Sequence, residues 1–295
     1  MQRITPHLWF DKEAVEAAEL YSATFPDSRI VNVSTIRDTP SGDCDIVSFE
    51  VLGQPFAAIS AGPLFQFTPA ISFAVRCATK DEVDRLWQKL SDGGKVLMPL
   101  DSYPFSERYG WTEDRYGLSW QLMYDASGEI DQPITPTLMF SGDVCGKAEE
   151  AIEHYTSVFP DSKVGEILRY SEGQEPDRPG TIQYVGFSLS GQEFAAMDSA
   201  RVHDFGFNEA VSLMIGCDSQ DEIDYYWDKL SAVPEAEQCG WLKDRFGVSW
   251  QVTPTALEDL LSRGTPEQVA RVTQAFLQMK KFDVATLEQA YEGGR

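Results

Sequence analysis

Basic residues are scarce in this chain. Twenty-four lysines and arginines stand against 47 aspartates and glutamates, a formal net charge of −23. Such a field repels a phosphate backbone, and no basic stripe with interleaved aromatics offsets it, which argues against nucleic-acid binding. Long apolar runs are also lacking: none approaches the ~18 residues of a membrane-spanning helix. The start, MQRITPHLWF, has neither the basic opening nor the apolar stretch of a secretion signal, so a cytoplasmic chain with no membrane contact is expected. Cysteine is sparse. Cys44, Cys77, Cys145, Cys217 and Cys239 are odd in number, scattered and without a CxxC pair, which speaks against a disulfide framework and a zinc knuckle. Histidine is scarcer still, with only His7, His154 and His203.

What is present describes a globular protein: 42% hydrophobic and 12% aromatic residues in a chain of 295, long enough for two domains of common size. The acidity serves solubility, and it would also draw a cationic ligand.

Self-similarity organises the rest. Ile4-Thr5-Pro6 recurs as Ile134-Thr135-Pro136, and Phe25-Pro26-Asp27-Ser28 as Phe159-Pro160-Asp161-Ser162, with an insertion in the second copy near Gly142-Asp143. Phe56-Ala57-Ala58 returns as Phe194-Ala195-Ala196, Asp81-Glu82-Val83-Asp84 as Asp221-Glu222-Ile223-Asp224, and Trp87 as Trp227. Gly110-Trp111 and the run from Asp114 to Gln121 reappear as Gly240-Trp241 and the run from Asp244 to Gln251. Anchors in the same order establish a duplication.

Each copy carries the same pattern of elements. A strand over 4–10 precedes a helix from Ala14 to Ala23, which Pro26 stops. Strands follow at 29–37, 45–52 and 55–60, the last two joined by a Gly53-Gln54 turn. A second unit has a strand at 70–77 and a helix over 80–91 with Val83, Leu86, Trp87 and Leu90 on one face. Short strands near 95–98, 107–113 and 118–124 complete it. Copy two repeats this from Ile134 to Thr253, with a shorter loop before Cys239. After Pro254 a helical tail is predicted, with Val269, Val272, Phe276 and Met279 on one face of a helix over 267–280 and a last helix from Asp283 to Tyr291. Its expected role is to cover exposed sheet or a domain junction.

These motifs resemble the PhnB-like branch of the glyoxalase/bleomycin-resistance (vicinal oxygen chelate) superfamily. The Ile-Thr-Pro start, the Phe-Pro-Asp-Ser turn, Phe67-Thr-Pro-Ala-Ile-Ser, the Asp-Arg-Tyr/Phe-Gly-x-Ser-Trp-Gln run and the tail carry the likeness over nearly the whole chain. It implies an α+β fold of two tandem glyoxalase-like domains, each of paired βαβββ units forming a curved mixed sheet. The expected boundaries are 1–128, 129–253 and a C-terminal extension over 254–295. It also implies a concave binding face that many relatives furnish with a divalent metal. Some branch members are labelled demethylubiquinone methyltransferases, yet no Gly-rich turn follows a strand pattern and opens a helix, as a nucleotide-type methyl donor requires.

Taken residue by residue, the resemblance places His7 at the first-strand ligand position, Ala70 where a second histidine is expected, Gln121 on the last strand, and Ala58 or Ser60 as the remaining position. Copy two offers Thr137, Ala210 and Gln251, with Asp198 near the end of its fourth strand. One imidazole and neutral amides make a poor metal set, so no metal or other cofactor is expected. The alternative is a divalent ion between His7 and Gln121 serving an enzyme of glyoxalase or ring-cleaving type. Should His7 act chemically, it would be as a proton-abstracting imidazole beside Gln121 and Ser72.

By strand alternation, Thr5, His7, Trp9, Ala70, Ser72, Ser119 and Gln121 are expected to share one face in copy one. Thr135, Thr137, Met139, Ala210, Ser212, Ser249 and Gln251 do so in copy two. Trp120 and Trp250 fall on the opposite, core side. Trp111 and Trp241 either line the cavity mouth or pack inside. The expectation is a small-molecule-binding protein, its ligand favoured by the acidic field if cationic. The copies would form an internal pseudo-dimer, a homodimer being the further assembly considered, with copy one the better site.

Overall fold

The computed structural model describes residues 4–39 and 41–293, so the outermost residues of the expected domains lie outside the described residues. In copy one the elements run β1 (Ile4–Phe10), α1 (Ala14–Thr24), β2 (Arg29–Thr39), β3 (Gly42–Val51) and β4 (Gln54–Ser60), then β5 (Ile71–Cys77), α2 (Lys80–Leu90), β6 (Lys95–Tyr103), β7 (Ser106–Glu113) and β8 (Ser119–Tyr124). Copy two follows with β9 (Ile134–Ser141), α3 (Ala148–Val158), β10 (Lys163–Arg169), β11 (Ile182–Leu189), β12 (Gln192–Ser199), β13 (Val211–Cys217), α4 (Gln220–Leu230), β14 (Trp241–Lys243) and β15 (Ser249–Pro254). The inserted residues after β9 form a 3-10 turn, Gly142–Val144.

Local chemistry accounts for the recurring motifs. Thr79 and Ser219 cap α2 and α4 by accepting the Glu82 and Glu222 N–H groups, and those glutamates reach back to the Ala78 and Asp218 amides. In the Phe-Pro-Asp-Ser turns, Asp27 and Asp161 adopt positive φ. Ser28 then bonds both the Pro26 carbonyl and the Leu52 amide, pinning the helix end to the β3–β4 turn.

The Asp-Arg-Tyr/Phe-Gly-x-Ser-Trp-Gln runs are built around a buried carboxylate. Asp114 accepts four hydrogen bonds: from the Tyr21 hydroxyl (2.8 Å), Trp120 Nε1 (2.9 Å) and the Tyr116 and Leu118 amides (2.9 and 3.1 Å). Asp244 repeats the set with Tyr155, Trp250, Phe246 and Val248. Burial pushes both carboxyls above their usual pKa, and the donors oppose that push. Tyr21 belongs to the first unit and Asp114 to the second, so each copy is tied across its two units. Around this tie Tyr21, Phe49, Phe56, Phe73 and Trp120 pack ring against ring.

The sheets are shared between copies. One has the order β14-β15-β13-β1-β4-β3-β2 and the other β10-β11-β12-β9-β5-β8-β7-β6, giving two mixed sheets of seven and eight strands. Each therefore joins one unit of copy one to one unit of copy two. The seam in the first is β1 antiparallel to β13, with His7 opposite Ser212; in the second it is β5 antiparallel to β9, with Ser72 opposite Thr137. Two glutamines tie the sheets to each other symmetrically. Gln54 bonds both the amide and the carbonyl of Ile134, and Gln192 does the same for Ile4. The expected paired units and internal pseudo-dimer are there, but the pairing of units into sheets crosses from one copy to the other.

Pro254 closes β15 rather than opening a helix, and the tail forms α5 (Ala256–Arg263), α6 (Pro266–Phe276) and α7 (Val284–Glu292). The helix expected to reach Lys280 ends at Phe276, because the chain after it turns to serve the sheet edge. Where copy one places β6 beside β7, copy two has only the 3-10 turn Pro234–Ala236, and the tail takes over: the Met279 and Lys280 carbonyls accept the Cys239 and Gly240 amides at 2.8 and 2.7 Å. Gly240 sits at φ +83°, and a Cβ there would collide with the Phe282 ring. The tail thus covers exposed sheet.

Asp114→Ala leaves three kinds of buried donor without an acceptor, each costing ~1–3 kcal/mol, so the unfolding free energy should drop by about 3 kcal/mol or more. Tyr21→Phe removes one bond and should cost about 1 kcal/mol. Urea unfolding followed by circular dichroism measures both; an Asp114→Ala protein as stable as Tyr21→Phe would refute the carboxylate's role.

Candidate ligand-binding clefts

Because the sheets are shared, so are their concave faces. Residues paired across a strand seam point to the same side, which gathers Thr5, His7, Trp9, Ser212, Trp241, Ser249 and Gln251 on the first sheet. On the second it gathers Ser72, Trp111, Ser119, Gln121, Thr137 and Met139. The copy-by-copy grouping expected from alternation is therefore corrected. His7 meets Ser212 and Gln251 of copy two; Ser72 and Gln121 lie on the other sheet. A metal between His7 and Gln121 has no common cleft to occupy. Alternation fixed the side of each strand, and the identity of the neighbouring strand depended on the seam.

The remaining ligand positions shift as well. The parallel partner of His7 on β4 is Ala57, while Ala58 lies in the core and Ser60 accepts the Ala14 amide at the start of α1. Ser212 and Ser72 face His7 and Thr137 directly, in place of Ala210 and Ala70, which precede their strands. Asp198 is turned to the core side, where it accepts the Gly146, Ala148 and Ile182 amides. Trp120 and Trp250 lie in the core as expected. His154 and His203 are half-buried, the first near the Lys229 carbonyl and the second 2.9 Å from the Ser199 hydroxyl.

The first-sheet cleft is aromatic on one side. Trp241 lies edge-to-face against His7 at 5.3 Å and near Trp9 at 6.0 Å, and Trp9 meets Phe65 at 5.0 Å while donating to the Gly62 carbonyl. Trp241 lines this cleft and Trp111 the other. On the polar side, Gln251 Nε2 donates to Ser212 Oγ at 2.9 Å. His7 is only 7% exposed, and burial lowers its pKa to about 4, so its imidazole is neutral at physiological pH. Its Nδ1 and the hydroxyl of Ser249 are both buried with no hydrogen-bond partner.

The second-sheet cleft is satisfied from within. Gln121 Nε2 donates to Ser72 Oγ at 2.7 Å, and the Tyr109 hydroxyl donates to Gln121 Oε1 at 2.7 Å. Trp111 Nε1 donates to Ser119 Oγ at 2.8 Å, and Thr137 bonds the Thr135 carbonyl. Tyr109 escaped the sequence reading, although it stands two residues before Trp111 and so on the same side. Phe65 and Ala57 were missed too: a loop and an alanine give no alternation signal.

Among the described residues, no group of three His, Cys, Asp or Glu side chains is placed to hold a metal ion. An imidazole, an amide, a hydroxyl and the methyl of Ala57 do not fit a divalent cation, which needs anionic or several imidazole donors.

Comparison with known proteins agrees with this architecture. A family model described as 3-demethylubiquinone-9 3-methyltransferase matches residues 2–123 and again 132–253. A PhnB protein from Bacillus cereus is 40% identical, covering 42% of this chain and 100% of its own, with a TM-score of 0.40. Glyoxalase I from Zea mays shares the fold at 11% identity, covering 88% of this chain and 96% of its own with a TM-score of 0.56. No curated protein matches the chain. With both repeats matched, the chain belongs to the PhnB-type family described as 3-demethylubiquinone-9 3-methyltransferase, in a tandem glyoxalase-like form.

Proposed function

We propose that the chain binds a small molecule with a flat apolar body in the first-sheet cleft, without a metal ion. The observation that carries this reading is the pair of unmet groups there, His7 Nδ1 and Ser249 Oγ, beside an aromatic wall. Leaving a buried polar group unpaired costs ~1–3 kcal/mol, and a ligand that pairs it recovers that energy. Trp9 and Trp241 supply contact area for the apolar part. The named lining residues include no carboxylate, so the net charge of −23 would favour a cationic ligand only by long-range steering.

The family description suggests a methyl donor, and the helix starts do not fit one. Such donors are cradled by free amides at a Gly-rich turn opening a helix. Here Ser60 takes the Ala14 amide, Thr79 and Ser219 cap α2 and α4, and Asp198 takes Gly146 and Ala148 at α3. Proton abstraction by His7 is disfavoured for another reason: an imidazole held at about 4 is a weak base at neutral pH. It serves better as a neutral hydrogen-bonding group.

Two measurements follow. Titrating intrinsic fluorescence with proflavine, a planar aromatic cation, should show saturable quenching. Trp241→Ala should weaken binding about tenfold and Trp111→Ala hardly at all. Equal losses in the two variants, or no saturation, would count against the assignment. The second measurement concerns acid stability. The free imidazole titrates near 6.5 and folded His7 near 4, so between those values the unfolded chain binds the extra proton and folding weakens as pH falls. Above 6.5 the group adds no pH dependence. His7→Gln should therefore lose less stability than the parent between pH 7 and 4 in thermal melts, and parallel profiles would show that His7 is not held neutral.

A further inference from the structure

The two clefts are built on the same glutamine–serine pair, and in one of them a tyrosine hydroxyl meets the glutamine. In the second sheet, Gln121 donates to Ser72 at 2.7 Å, which turns its Oε1 toward the Tyr109 hydroxyl. Tyr109 is 5% exposed and wedged edge-on against Tyr103 at 5.6 Å and Phe105 at 4.9 Å. In the first sheet, Gln251 donates to Ser212 at 2.9 Å in the same sense, which presents its Oε1 equivalently. The residue matching Tyr109, immediately before the shared Gly-Trp, is Cys239. Its thiol faces the Phe276 carbonyl at 3.4 Å, on the tail. Among the described residues no donor replaces the tyrosine hydroxyl on Gln251.

We infer that the first-sheet cleft takes a hydroxyaromatic ligand whose O–H donates to Gln251 Oε1, and that Tyr109 is the built-in counterpart of that ligand, closing the second cleft. The inference rests on the binding reading above and adds to it the chemical class and the number of ligands per chain. An amide oxygen accepts a proton donor and repels an anion, so the neutral phenol is the bound form. The environment of Tyr109 agrees, since burial pushes its own ionisation upward. The ligand's ring is placed beside Trp241, which pairs with Gln251 across β14 and β15. His7 and Ser249 remain for further polar groups on the ligand. An ether or a plain arene of equal size fills the space and leaves Gln251 unmet.

The test uses the full chain with 2-naphthol and 2-methoxynaphthalene, read by calorimetric titration and fluorescence quenching. The naphthol should bind once per chain, about tenfold or more tighter than its methyl ether. Its affinity should fall as pH rises through its own ionisation. Gln251→Leu should erase the preference, and Tyr109→Ala should raise the stoichiometry of naphthol from one to two. Equal affinity for naphthol and ether overturns the hydroxyl assignment and leaves the aromatic-binding reading standing. Stoichiometry fixed at one in a folded Tyr109→Ala protein overturns the role given to Tyr109. Failure of both probes to bind the parent chain, with proflavine binding intact, overturns the ligand class alone; failure of all three overturns both readings. If Tyr109→Ala does not fold, the parent and Gln251→Leu titrations decide the ligand class, and two naphthols bound by the parent chain refute closure of the second cleft.

Discussion

The buried carboxylate of Asp114, repeated as Asp244, is the constraint from which the architecture follows. Each gathers a tyrosine from the first helix of its copy, a tryptophan from the last strand and two amides from the turn between. An anion in an apolar core is tolerated only when its oxygens are fully engaged, so the carboxylate specifies how the two units of a copy dock. They dock through the helix-bearing sides of their sheets. Gly117 and Gly247 turn the chain at positive φ to deliver the amides, which explains why the whole motif recurs as a block.

Docking of that kind leaves each copy with two open sheet edges and two unfinished concave faces. The other copy completes both. The β1–β13 and β5–β9 seams bring the units edge to edge, and Gln54 and Gln192, each on one sheet, satisfy the first backbone groups of a strand on the other, β9 and β1. A cleft in this protein is therefore a property of the duplication, in the way that a twofold interface completes a site between subunits. His7 owes its burial to Ser212 and Trp241, residues more than 200 positions later in the chain.

Much of this was legible in the residues. Recurring anchors fixed the duplication, and alternation placed His7, Ser212, Gln121 and Gln251 on concave faces and Trp120 and Trp250 in the core. The seam was not legible, because a period of two specifies a side of a strand and says nothing about its neighbour. A separate error put Ala58 or Ser60 in place of Ala57, a one-residue slip that reverses the face. The tail's function was expected only in outline. Its apolar face could be read from spacing, but the carbonyls of Met279 and Lys280 replacing a missing strand involve backbone groups that carry no sequence signal.

Duplication also frees the two clefts to diverge, and the residues show the direction. At the first-strand position the pair is His7 and Thr137; two residues on it is Trp9 and Met139; before the Gly-Trp it is Cys239 and Tyr109. Two of these differences make the second cleft more self-sufficient, since Thr137 bonds its own strand and Tyr109 donates to Gln121; Ser119, common to both copies, accepts Trp111 there as well. The first cleft keeps two buried polar atoms unmet. A fold gains nothing by leaving such groups unpaired, since pairing them internally would add stability at each site. Their presence on one sheet, with the matching groups on the other sheet paired, is the asymmetry on which the proposed binding site rests. A ligand that paired His7 and Ser249 would recover the stability forgone there as binding energy.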